Sequence, residues 1–263
     1  MSTEAERKTA ATWLAKRGIS VTEPTELLAL RLGVRRGARP PGYWTGIGWL
    51  VTVTAVSSFG LAFLPLLPGV AMSDVPEGRL TVVMFAVVLL ANRLPIRWAD
   101  RRAAAWLGDR RLDRPRPSWR AVLNGWYLAS LVVTFGGGAA LGVAMAVSGS
   151  VWAVLWLGLL AAAAAVVGVV LAGVLRRPVL AEDEGSLAVD AATRSGDVLL
   201  VLPSMFALPV VADLATTNRQ PHEFTPWLIG YVVLAVGTQV IGVVVHRRRR
   251  PALPVDGDYE ATR

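Results

Sequence analysis

Long apolar runs, separated by short polar stretches rich in arginine, dominate the chain. Six of these runs approach the length of about 20 residues that a helix needs to cross a hydrocarbon core about 30 Å thick. They cover residues 46–70, 80–94, 121–147, 151–175, 198–217 and 227–246. The run Val151–Leu175 contains no ionisable residue. The pattern therefore predicts an all-α, polytopic membrane helix bundle with six transmembrane helices.

The basic residues fall almost entirely on one side of this predicted bundle. When successive loops are assigned to alternate sides, 25 of the 27 Lys and Arg residues lie on one side, leaving Arg79 and Arg219 on the other. Basic loops resist translocation, so the crowded side, with both termini, is expected to be cytoplasmic. All but two of these residues are arginines, which is typical of GC-rich bacterial genomes. We therefore expect a multi-pass protein of the bacterial plasma membrane.

The predicted bundle is flanked by two polar parts. Residues 1–45 are predicted to be a helical arm at the cytoplasmic interface, residues 46–247 form the six-span domain, and residues 248–263 are expected to be a disordered cytoplasmic tail. A leucine-rich helix over residues 22–32 in the arm fits two interpretations. It either lies on the inner leaflet with its arginines on anionic headgroups, or packs against the cytoplasmic ends of the bundle.

Arginines beside the span ends are expected to contact anionic lipid headgroups on the cytoplasmic side. The candidates are Arg35, Arg36, Arg101, Arg102, Arg247 and Arg248. The loop 93–120 mixes arginines with tryptophans, a pattern that also occurs in proteins that bind single-stranded nucleic acid. Between two membrane spans it indicates a membrane-surface segment, so no nucleic-acid partner is expected. A predicted helix over residues 97–112 in this loop can dock a cytoplasmic ATPase or regulator.

The fifth predicted span has an unusual sequence. Only residues 198–212 are uninterrupted by charge, Pro203 and Pro209 lie inside them, and Asp213 follows. Broken helices expose backbone groups to a cavity in transporters, but prolines are also tolerated as simple kinks in packed bundles. The sequence leaves both alternatives open.

Composition excludes several classes of function. The chain is 54% apolar and 17% charged, with a mean hydropathy of +0.49 and no cysteine. This is far too apolar for a disordered protein, and it offers no disulfide, thiolate nucleophile or cysteine-based metal site. No sequence motif of nucleotide binding or nucleophilic catalysis occurs. We therefore expect no enzymatic activity, no catalytic residue, no metal and no cofactor.

Polar side chains at membrane depth are the candidates for a transport or polar site, because burying them in lipid is costly. The three candidates are Asp213, Asn124 and Gln239. A single interhelical hydrogen bond explains either amide equally well. Asp213 is expected to lie at the outer interface.

The layout of the whole chain, without any signature motif, resembles uncharacterised multi-span membrane proteins of GC-rich bacteria. It also resembles, more loosely, the six-span membrane subunits of ABC-2 type exporters, in which an interfacial helix precedes the first span and a cytoplasmic segment meets a separate ATPase. These likenesses imply a permease-like subunit of a transport system. The alternative is a non-transporting anchor or regulator that acts through its basic cytoplasmic loops. The sequence does not predict an oligomeric state.

Overall fold

The structure is a computed structural model that describes residues 1–36, 75–216, 220–248 and 253–261. The predicted first span, residues 46–70, lies outside the described residues. Within them, helix is the regular element throughout, apart from one isolated bridge between Pro24 and Glu260. The predicted all-α class is therefore confirmed for the described residues.

Two helices build the arm and the others build the bundle and its connections. In chain order they are α1 (Glu4–Ala15), α2 (Glu26–Leu32), α3 (Arg79–Leu107), α4 (Trp119–Val122), α5 (Gly125–Leu131), α6 (Gly138–Val147), α7 (Val151–Leu175), α8 (Glu184–Leu199), α9 (Pro209–Thr216) and α10 (Thr225–Arg248). A π-helical turn over Val132–Gly137 joins α5 to α6.

Five helical segments of the described chain are long and apolar enough to cross a membrane. They are Arg79–Arg110, Gly125–Val147, Val151–Leu175, Glu184–Ala215 and His222–Arg248. These segments indicate a membrane protein. We call Glu184–Ala215 the fifth segment, after its place among the six predicted spans.

Two of these segments differ from the predicted spans. Helix α3 begins at Arg79 and continues to Leu107 with Pro95 inside it, so the span expected at 80–94 and the helix expected at 97–112 form one element. The fifth segment begins at Glu184, well before residue 198, and it is interrupted. Helix α8 ends at Leu199, a 3-10 turn covers Pro203–Phe206, and α9 starts at Pro209. We call residues 200–208 the break.

Small residues allow the helices of the bundle to approach closely. A Cβ atom added to Gly138 would lie 2.8 Å from Leu160 Cδ2, and one added to Gly142 would lie 2.6 Å from Leu157 Cδ2. Helix α6 therefore packs on α7 through glycines, which is the usual way for helices in lipid to gain contact area.

The arm packs against protein at one end of the bundle, which we call the charged end. Leu27, Leu28 and Leu32 in α2 are fully buried, and α2 lies against α1 and α3. The described part of the tail, residues 253–261, also lies on the arm, where Thr25 N donates to Tyr259 O at 3.0 Å. These contacts agree with the second interpretation of the leucine-rich helix, in which it packs on the bundle.

Candidate functional site

A buried group of ionic side chains joins α8 to the rest of the charged end. In the part of the chain that the structure describes, it holds five arginines and three aspartates from α2, the turn after α2, α3, the end of α7 and α8. The members of this charged cluster are Arg31, Arg35, Arg93, Asp100, Arg177, Asp190, Arg194 and Asp197. Buried charges are costly unless they are paired and hydrogen-bonded, so the cluster fixes its elements in one arrangement.

Asp190 is the link between α8 and α2. Its Oδ1 accepts a hydrogen bond from Arg31 Nη2 at 2.6 Å, and its Oδ2 accepts one from Arg194 Nη2 at 3.0 Å. Burial lowers the pKa of the Arg31 guanidinium, and the neighbouring carboxylates of Asp190 and Asp100 oppose that shift. Arg31 also donates to the carbonyl of Leu180 at 2.9 Å, so both of its terminal nitrogens are engaged.

Asp197 is the link between α8, α3 and the end of α7. It is fully buried and pairs with Arg35 after α2. Arg177 Nη1 donates to Asp197 Oδ2 and to Asp100 Oδ2 on α3, both at 2.9 Å. Arg93 Nη1 lies 3.6 Å from Asp197 Oδ2. Four elements therefore meet at this carboxylate.

Arg194 caps the C-terminal end of α7 and also binds Asp190. Its Nη1 donates to the carbonyls of Val174 and Arg177, each at 2.9 Å, and its Nη2 donates to Pro178 O at 3.3 Å. The last carbonyls of a helix have no partner within the helix. The fully buried guanidinium of Arg194 supplies those partners and places a positive charge at the negative end of the α7 dipole.

A cavity of about 700 Å³ lies between α8, the break and α10. This size falls within the range of roughly 300–1,000 Å³ that is typical of small-molecule sites. Its walls are mainly apolar and include Leu199, Leu200, Leu202, Val240, Val243 and Val244. Residues Leu200, Leu202 and Ser204 of the break form one side of it.

Polar groups mark two places in this cavity. At the inner one, Ser204 and Gln239 are both nearly buried. Gln239 Oε1 accepts a hydrogen bond from Ser130 Oγ at 3.0 Å, whereas its buried Nε2 has no hydrogen-bond partner in the described part of the chain. A buried amide donor without a partner is costly, so this group is an unusual feature of an apolar wall.

Basic side chains mark the other place, at the charged end of the cavity. Arg17 and Arg247 both line it, as do His246 and Ser195. The guanidinium of Arg17 lies over the Trp13 ring, 3.3 Å from its centroid, and Ser195 Oγ lies 3.3 Å from His246 Nε2. The cavity thus runs from a cationic entrance to a neutral hydrogen-bonding group through apolar walls.

Asp213 lies in α9, at the end of the bundle opposite the charged end. Its Oδ1 accepts hydrogen bonds from Glu77 N at 2.8 Å and from Trp152 Nε1 at 3.2 Å, and the residue is 2% exposed. Asp213 lies beside the start of α3, where the helix dipole favours a negative charge. The contacts of Asp213 therefore join α9 to the start of α3 and to α7, outside the cavity.

Asn124 also has a structural role, at the start of α5. Its Oδ1 accepts from Tyr127 N at 2.7 Å, which begins α5, and its Nδ2 donates to Gly242 O on α10 at 3.2 Å. This is an interhelical hydrogen bond of the kind expected for an amide at membrane depth. Of the three predicted polar-site residues, only Gln239 lies at the cavity.

The arginines expected at lipid headgroups are found in several environments. Arg35 belongs to the charged cluster, and Arg102 Nη1 donates to Glu6 Oε1 at 2.8 Å. Arg101, Arg247 and Arg248 are exposed. The side chain of Arg36 lies outside the described part. Lipid contact by these residues stays a prediction.

The charged cluster and the cationic entrance were not predicted from the sequence. Asp190, Arg194 and Asp197 are spaced by four and three residues, which places them on one face of a helix. That spacing is the available signal, but it does not reveal partners such as Arg31 that lie more than a hundred residues away in the chain.

The described residues contain no group of three His, Asp or Glu side chains arranged to hold a metal ion. Comparison with known proteins found no matching family model, no matching curated protein and no matching solved structure. The cavity and the elements around it therefore carry the functional argument.

Proposed function

We propose that this chain is a permease-like membrane subunit of a transport system, with six spans and both termini in the bacterial cytoplasm. The observation that carries the proposal is the cavity beside the break in the fifth segment. Non-helical backbone at membrane depth is tolerated where protein buries it or where it lines a cavity, and broken helices commonly form substrate sites in transporters.

The two halves of the fifth segment are attached to opposite ends of the bundle. Helix α8 is held at the charged end through Asp190 and Asp197, and α9 is held at the other end through Asp213. The break lies between these two attachments. A change of angle at the break would move one half against the other and open the cavity toward either end, which is the hinge movement that alternating access requires.

The orientation of the proposed subunit follows from the position of the charges. The charged end holds the arm, the charged cluster and the exposed stretch of residues 111–118, which includes Arg111, Arg114 and Arg116. Loops rich in arginine stay in the cytoplasm, so we assign the charged end to that side. A separate ATPase would supply the energy for transport and would dock on this exposed stretch.

Thiol accessibility tests the proposal directly, because the chain contains no cysteine and each engineered one reacts alone. Ser204→Cys places a thiol in the cavity, at a residue that is 6% exposed. Ser118→Cys and Ser148→Cys are matched controls at exposed positions of the charged end and the opposite end. Each variant is treated with a small membrane-impermeant thiol reagent, in right-side-out and in inverted membrane vesicles.

A permease predicts that Ser204→Cys reacts from both sides of the membrane, since its cavity opens alternately. Ser118→Cys should react only in inverted vesicles, and Ser148→Cys only in right-side-out vesicles. Reaction of Ser204→Cys from one side alone, with both controls behaving as expected, would contradict transport.

A non-transporting anchor or regulator is the second candidate, and one observation favours it. The arm and the tail are joined to α8 and α3 in one packed body at the charged end, in which Leu14, Leu28 and Val189 share a core. Such a body offers a firm docking surface. One-sided access to the cavity, together with stable co-purification of a cytosolic protein that is not an ATPase, would support this candidate.

A further inference from the structure

The cavity has the chemistry of a site for one particular class of ligand. We propose that it binds a single-chain anionic amphiphile that carries a hydrogen-bond acceptor near the middle of its chain. This ligand is the transported substrate if the proposed function holds, so the inference rests on that function for its physiological meaning. The head group, the chain and the acceptor each correspond to one part of the cavity.

The anionic head group is specified by the cationic entrance. Arg17 comes from the arm and Arg247 from α10, so two guanidinium groups from separate elements line the same end of the cavity. His246 and Ser195 provide further polar atoms beside them. A carboxylate or a phosphate complements this arrangement, because arginine binds such oxyanions through charge-assisted hydrogen bonds.

An unbranched apolar chain is specified by the walls. Leucines of α8 and the break face valines of α10, and the cavity is open to the side, with Leu200 and Val240 both more than half exposed. Such a cleft accepts an acyl chain from the surrounding bilayer without a deep entry path. Burial of apolar surface favours the chain by about 25 cal/mol for each Å² removed from water.

The acceptor is specified by the unpartnered amide. Gln239 Nε2 is buried at the inner part of the cavity and lacks a hydrogen-bond partner among the described residues. Gln239 and Arg247 are two helical turns apart on α10, which corresponds to about 12 Å along the axis at roughly 1.5 Å for each residue. A hydroxyl or carbonyl group at that distance from the head would accept from Nε2, and Ser204 also lines the cavity.

Photo-crosslinking of the full chain in lipid nanodiscs tests the proposal. Four diazirine probes are compared: a mid-chain hydroxy fatty acid, the matching unsubstituted fatty acid, phosphatidylglycerol and phosphatidylcholine. The modified peptides are identified by mass spectrometry. We expect the anionic probes to label residues 199–204 and 239–247, the hydroxy acid most strongly, and phosphatidylcholine only weakly.

Four variants and one control variant identify the contribution of each part. Arg17→Gln and Arg247→Gln should each weaken labelling by the anionic probes about fivefold, the effect of one arginine near an anionic group. Arg248→Gln, at the neighbouring exposed residue, is the matched control and should leave labelling unchanged. Val243→Trp fills the cavity and should abolish labelling, and Gln239→Leu should remove the preference for the hydroxy acid alone.

The outcomes separate this inference from the proposed function. Equal labelling by phosphatidylcholine and the anionic probes, insensitivity to Val243→Trp, or labelling only of peptides outside residues 199–204 and 239–247 would each overturn the ligand assignment. Stronger labelling by phosphatidylglycerol than by both free acids would overturn the single-chain assignment. Anionic labelling with one-sided reaction of Ser204→Cys would refute transport and keep the binding site.

Discussion

Replacement of Arg194 by methionine tests whether the charged cluster organises the charged end. The substitution keeps an unbranched side chain in a fully buried position but removes the guanidinium. Asp190 then loses its 3.0 Å hydrogen bond from Arg194, and the last carbonyls of α7 lose their donors. Arg194→Met should therefore weaken both the cluster and the end of α7.

The expected loss is large, because removing one partner from a buried ion pair costs about 3–5 kcal/mol. For a chain of this size such a loss corresponds to a decrease in Tm on the order of 10 °C. Thermal unfolding in detergent, followed by helical circular dichroism, measures it. Arg194→Lys keeps a charge but not the planar fork, so its Tm should lie between those of the wild type and Arg194→Met.

Arg114→Met is the matched control for this experiment. Arg114 Nη2 lies 3.3 Å from Glu184 Oε1, but the two side chains are 54% and 78% exposed. An exposed pair of this kind contributes between 0 and about 1 kcal/mol, so its removal should change Tm little. Equal shifts for Arg194→Met and Arg114→Met would show that burial does not determine the contribution of these ion pairs.

Three further predictions concern other parts of the chain. Asp213→Ala should lower the free energy of unfolding by about 1–3 kcal/mol, since it leaves the buried Trp152 Nε1–H without its acceptor, and an unchanged chemical-denaturation curve would contradict this. Although burial alone would raise it, hydrogen bonds from Ser2 and the charge of Arg7 hold the pKa of Glu26 below its usual 4.5. Its carboxylate therefore stabilises the fold above that value, and the benefit is lost as the pH falls through the lowered pKa, so Glu26→Gln should lower Tm more near about pH 7 than near about pH 3; equal effects at both would contradict it. Reporter fusions after Ser148 and at the C-terminus should give external and cytoplasmic signals respectively, and matching signals would contradict six spans.

Sequence patterns were sufficient for the helical class and the apolar segments, because the hydrophobic period and length of a span are local properties. They were insufficient for the fifth segment. Residues 176–197 fall between the predicted fourth and fifth spans, and their charged side chains, which include Asp190, Arg194 and Asp197, are costly to bury alone. Their partners on α2, α3 and the end of α7 make them part of a helix, and no local pattern reveals those partners.

The candidate site was predictable in part. Gln239 was identified as a polar residue at membrane depth, and the prolines at 203 and 209 left a broken helix and a simple kink as open alternatives. The position of Gln239 at a cavity was not predictable, since the cavity depends on how α8 and α10 lie against each other. Arg17 illustrates the same limit, because it lies in the arm and reaches the cavity only through tertiary packing.

The proposed transport function requires the two halves of the fifth segment to move against each other at the break. Pulsed electron–electron double resonance measures the distance between spin labels attached at Leu200→Cys and Val240→Cys. These two exposed positions lie on the walls of the cavity, so the distance reports its width. Labels at Val143→Cys and Val154→Cys, on the packed pair α6 and α7, provide the control and should give a single distance. Alternating access predicts two distances across the cavity, with their proportions shifted by an anionic amphiphile; a single distance that no ligand changes would rule out this movement.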